Sequence, residues 1–185
     1  MMERLNPRAR ADRYGSRINR TQSPIRVGSV PYLSIMLASL LPVLLIADVM
    51  PLVPSLGFLM LLAWRMVRPG LLPLWAGAPL GAFDDLFSGQ PFGSAMLLWS
   101  LALIGIELIE ARFPWRSFWQ DWFTTGLFAV LVCLAGLLLS GARFTAEMLV
   151  VALPQALLTV LLYPILARMV AALDRFRLAR ARRIE

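Results

Sequence analysis

The feature that most limits what this chain can become is where its charge is placed. Long stretches run almost without a charged side chain, and the basic residues gather at the two ends and in short connections. Of the 185 residues, 59% are hydrophobic and 16% charged. A soluble domain of this length carries more charge and interrupts its apolar runs sooner. A bilayer-crossing helix needs about 20 mainly apolar residues. Six runs meet or approach that length: roughly 31–49, 55–66, 71–87, 93–109, 121–140 and 147–170. The second is short unless the preceding Pro-Leu-Val is included. Pro42 predicts a kink in the first run, Pro73 and Pro79 break the third, and Pro154 and Pro164 fall inside the sixth. The fold class expected is an all-α integral membrane protein of about six transmembrane helices.

The arginines test that count. Basic residues of short loops favour the cytoplasmic side. With six spans and the N-terminal tail inside, 17 of the 18 arginines fall on that side, including Arg65, Arg68, Arg112 and Arg116, and only Arg143 lies opposite. Five or seven spans would put one basic tail outside. The expected organisation is an arginine-rich, disordered cytoplasmic tail over 1–30, a six-helix membrane domain over 31–172, and a basic cytoplasmic extension over 173–185. The tail resembles a transit peptide or signal n-region in composition, but no small-residue cleavage site follows the first apolar run.

What is missing excludes much chemistry. All 18 basic residues are arginine, and there is no histidine. A P-loop lysine, a Schiff-base lysine, a Ser-His-Asp triad and an HExxH zinc site are therefore unavailable. The single cysteine, Cys133, has no intrachain disulfide partner and reads as a small buried hydrophobe. No catalytic residue, cofactor or metal site is expected. The net charge of +7 sits on flanks of apolar runs, which fits contact with membrane lipid rather than nucleic acid. Between the fourth and fifth runs, Trp115, Arg116, Trp119 and Trp122 read as membrane-interface anchors.

One stretch departs from this pattern: "GAPLGAFDDLFSGQPFG", residues 77–93, sets two aspartates among glycines and prolines. Gly77 and Gly81 form a small-x-x-x-small pair that lets another helix approach closely. Asp84 or Asp85 continues the same helical face, while its neighbour diverges by about 100° and is expected to turn toward external water. Gly89, Pro91 and Gly93 then read as a tight external turn. These seven residues are the candidates for helix packing or partner binding. A proton relay is not expected, since no other acid lies within a span. Glu107 and Glu110 read as ion-pair partners of Arg112 and Arg116. Thr124, Thr125, Gln155 and Thr159 read as interhelical hydrogen-bonding groups.

At this stretch the sequence resembles the MreD family of bacterial rod shape-determining membrane proteins. The family's pattern of G…G…D-L…G…P-x-G is met by Gly81, Asp84 or Asp85, Leu86, Gly89, Pro91 and Gly93. The resemblance extends over roughly 31–172, and the arginine-rich tail is not part of it. It implies a non-enzymatic scaffold of the cell-elongation complex in the inner membrane. Its implied partners are MreC, the actin-like MreB, and the glycosyltransferase and transpeptidase that build lateral peptidoglycan. It also implies a fold like the six-helix substrate-binding component of energy-coupling-factor vitamin transporters. That likeness supplies the alternative expectation, a small-solute-binding component of a transporter.

Overall fold

A computed structural model describes residues 24–46, 55–113, 117–141 and 146–178. Among them are six helices and no strand: α1 (Pro24–Ile46), α2 (Leu56–Val67), α3 (Gly77–Asp85), α4 (Ser94–Arg112), α5 (Phe118–Leu139) and α6 (Ala146–Leu178). Helix α1 begins at Pro24, inside the stretch expected to be tail, and α6 runs without interruption to Leu178. The third apolar run is not one helix. A single 3-10 turn at Leu74–Ala76 leads into the nine residues of α3. Pro73 flanks that turn, and Pro79 sits in the first turn of α3, where no intrahelical donor is required.

Four helices are long and apolar enough to cross a membrane, over Val27–Leu44, Ser94–Arg112, Phe118–Leu139 and Ala152–Leu178. Helix α2, at 12 residues, is about 18 Å long against a hydrocarbon core of about 30 Å.

The short α2 is tolerated because it is the core. Its sequence, LGFLMLLAWRMV, is apolar on every side, and ten of its residues, Gly57 through Met66, are buried. The other helices surround it in the order α1, α3, α4, α5, α6 and back to α1. Phe58 of α2 meets the Trp99 ring of α4 at 5.7 Å between centroids. The ring helices turn their remaining apolar residues outward. Leu101, Ile104 and Leu108 on α4, with Leu157, Leu161 and Ile165 on α6, are exposed at spacings of three or four residues. Such a stripe suits hydrocarbon, provided every backbone group is satisfied within the protein.

Four prolines inside α1 and α6 threaten that condition, and tertiary contacts restore it at two of them. A proline leaves the carbonyl four residues before it without its helical donor. Pro31 orphans Val27 O, which accepts from Arg177 Nη1 at 3.1 Å. Pro164 orphans Val160 O, which accepts from the Trp122 indole Nε1 at 3.0 Å.

The Arg177 contact also brings the start of α1 and the end of α6 to one end of the bundle. There the charges pair. Buried Arg65 of α2 donates to Glu107 and to Glu110 of α4, the latter at 2.7 Å. Arg68 Nε and Arg177 Nε donate to the two carboxylate oxygens of Asp174 at 2.8 and 2.7 Å. The Arg177 guanidinium lies 5.5 Å from the Trp64 ring centroid. Trp64 Nε1 donates to Ser34 Oγ at 2.8 Å, which donates in turn to Pro31 O at 2.8 Å. Glu107 and Glu110 were expected to pair with their sequence neighbours. Arg65, on the central helix, supplies a hydrogen bond to each.

Candidate functional site

The opposite end of the bundle is built on the α3–α4 corner. The two helices run antiparallel with their backbones in near contact. A Cβ on Gly81 would lie 2.5 Å from Ala95 O and 2.7 Å from Met96 Cα, and one on Gly77 would lie 3.0 Å from the Ser100 backbone. The Gly77–Gly81 face therefore packs against α4 of the same chain and has no room for a partner's helix. The small-residue spacing identified a close helix contact; which helix fills it is a matter of tertiary arrangement.

Asp85 explains how the corner closes. Gly93 stands at the N-cap of α4 with φ of 97°, a left-handed conformation that favours glycine, and it has no side chain to cap with. The first N–H groups of a helix have no internal acceptor. Asp85 supplies it across the turn: its carboxylate accepts from the backbone N–H of Gly93 (2.9 Å), Ala95 (2.9 Å) and Met96 (3.2 Å), and from Ser94 Oγ (3.1 Å). A negative charge at the positive end of the helix dipole adds to these bonds. Pro91 O accepts from Ser94 N, and Asp84 O accepts from Phe87 and Ser88 N, completing the 86–93 turn. Gly89, with φ of 68°, and Pro91 lie exposed in it. Leu86 and Phe92 are exposed at its tip.

Asp84 points elsewhere. Neither aspartate faces open water as expected: Asp84 is 9% exposed and Asp85 6%. The reason is that α3 is buried at its end as well as along its side, so the diverging carboxylates enter two different interior environments. The Asp84 carboxyl lies beside the Ser39 hydroxyl of α1. It also lines a cavity of about 580 Å³ that opens over the N-terminal turn of α2. The cavity exists because α2 starts only at Leu56, while the ring helices α1, α5 and α6 continue past its end. Its wall includes Ser39, Trp99, Cys133, Gln155 and Thr159. Cys133 is thus a half-buried wall residue, with Sγ 3.7 Å from Gln155 Oε1. Gln155 and Thr159, expected to bind between helices, also line this space. Thr125 is wholly buried, and its Oγ1 has no hydrogen-bond partner among the described residues.

The interfacial tryptophans separate in the same way. Trp119 is 61% exposed, whereas Trp122 is partly buried with its N–H on Val160 O. Trp115 and Arg116 lie outside the described residues. Ser117 caps α5, its Oγ accepting from Gln120 N. Among the described residues, no group of three His, Cys, Asp or Glu side chains is placed to hold a metal ion.

Comparison with curated proteins gave no match, and comparison with solved structures gave none. Comparison with protein families gave one described as rod shape-determining protein MreD, matched over residues 25–177. That interval runs from the first turn of α1 to the last turn of α6 and takes in the central helix, the arginine network and the Asp85-capped corner. The chain belongs to the MreD family of rod shape-determining membrane proteins.

Proposed function

We propose that this protein is a non-enzymatic scaffold of the bacterial cell-elongation complex. It crosses the inner membrane six times with both ends in the cytoplasm. There it holds MreC in register with MreB and with the glycosyltransferase and transpeptidase of lateral peptidoglycan synthesis. The observation that carries this reading is the family match across the entire six-helix body. The orientation is supported by the arginines: those of α2, α4 and α6 that the structure describes cluster where α1 begins and α6 ends. Since the Gly77–Gly81 face is filled by α4, partner segments are assigned to the exposed apolar stripes and to the 86–93 turn. The transporter alternative, drawn from a fold likeness, has only the cavity in its favour here, and a cavity supports binding rather than transport.

Depleting the protein from a rod-shaped host should widen and round the cells, and re-expression should restore their width. A tagged copy should co-purify a single-span MreC, with crosslinks formed from probes at positions 86 and 92. Normal width after depletion, or no MreC recovered under conditions that keep the bundle intact, would overturn the reading.

A further inference from the structure

We propose that the cavity over α2 is a binding site for a small organic cation, an ammonium group carried on an apolar body, with Asp84 as its counter-charge. The inference is independent of the scaffold reading. It rests on a mismatch between the two ends of the molecule. At the arginine end, Arg65, Arg68 and Arg177 are matched by Glu107, Glu110 and Asp174. Asp85 is matched by the N–H groups of α4. Among the described residues, Asp84 alone of the buried acids has neither a cation nor a helix N-terminus beside it: its neighbour is the Ser39 hydroxyl, and it is the only charged side chain of the described residues that line the cavity.

A buried carboxylate is costly to leave unpaired. A cavity of about 580 Å³ beside it has room for the missing partner. The other walls indicate the rest of the ligand. Trp99 and Phe87 offer aromatic surface to an apolar body or to the cation itself, and Gln155 and Thr159 offer further polar contacts. Among the described residues no arginine lines this wall, and that sets the sign. A phosphate or pyrophosphate, such as the headgroup of a lipid-linked sugar precursor, would meet a carboxylate and no counter-charge. An ammonium could come from a free amine or from the headgroup of an aminophospholipid.

Cys133 provides the readout, since it lines the cavity and is the chain's single cysteine. Its modification rate is measured in the purified full-length protein with two methanethiosulfonates of similar size, trimethylammonioethyl and sulfonatoethyl. Each rate is normalised to that of a free thiol. The cationic reagent should be favoured about tenfold. Asp84→Asn should bring the ratio to about one, and Asp84→Glu should retain it. Phenethylammonium should protect Cys133, while its neutral counterpart 2-phenylethanol should not. Protection on adding phosphatidylethanolamine to phosphatidylglycerol vesicles, without protection by the free amine, assigns the ammonium to lipid. Equal normalised rates in the wild type would overturn the proposal. So would no labelling by either reagent, equal protection by phenylethanol, or protection by neither amine source. If Asp84→Asn fails to assemble, the wild-type comparisons decide alone.

Discussion

The two ends of this bundle handle buried charge in opposite ways. At the arginine end, every buried charge described is answered by another within the chain. Arg65 meets two glutamates, and Asp174 meets two guanidiniums, one of which also completes the backbone of α1. At the other end, two adjacent aspartates have different fates. Asp85 is consumed by the α4 N-terminus, and Asp84 is left facing a cavity. The first end has the marks of a clasp, tying α1, α2, α4 and α6 together. The second has a rigid corner beside a cavity. In a family of rod shape-determining membrane proteins, a buried carboxylate without a counter-charge among the described residues is a charge whose position the internal architecture does not explain.

Substitutions can break this contrast. The largest effect is expected at the corner itself. Gly81→Leu drives a side chain into the Ala95 and Met96 backbone, where nothing flexible can yield. It should cost about 4 kcal/mol or more, seen as loss of monodisperse protein in detergent and failure to restore cell width. Normal assembly would mean that α3 does not lie on α4. Next, Arg65→Met leaves Glu107 and Glu110 without their shared partner. With Glu107 half exposed, a cost of about 2–3 kcal/mol follows, measured by thermal unfolding in detergent. Adding Glu107→Gln and Glu110→Gln should recover much of it, which a purely steric role for Arg65 would not allow.

The aspartate pair gives the sharpest test of the comparison. Asp85→Asn weakens the cap on α4 and should cost about 2 kcal/mol. Asp84→Asn removes an unmatched buried charge and should change stability by less than about 0.5 kcal/mol, or raise it. Equal melting shifts would erase the distinction between the two residues. A loss smaller than that of Asp85→Asn belongs to Trp122→Phe, which keeps an aromatic ring but leaves Val160 O without its indole donor. About 1 kcal/mol is expected, with faster amide exchange around Pro164 as the local sign.

Much of this was legible in the chain. The apolar runs gave the helices, because a segment without charge has few alternatives in a bilayer. The spacing of Gly77 and Gly81 marked a close helix contact, and Gly89 and Gly93 marked the turn. Less legible were the limits of the elements. The third run looked long enough for a span by composition, yet its prolines confine the regular helix to Gly77–Asp85. Cys133 looked like an ordinary buried hydrophobe because nothing in its own neighbourhood reveals that α2 stops short beside it.

By itself, the sequence determined an all-helical membrane body, its proline-weakened carbonyls and the motif that places it in its family. These depend on composition and on spacings within about two helical turns. Tertiary structure alone decided that the 12-residue α2 is the core. It also decided that Arg65 answers Glu107 and Glu110, that Trp122 and Arg177 repair the breaks left by Pro164 and Pro31, and that Asp84 and Asp85 part company. The physical reason is range. A side chain's local sequence fixes the direction in which it leaves its helix, but the groups that meet it there lie tens of residues away and are set by which helices pack together.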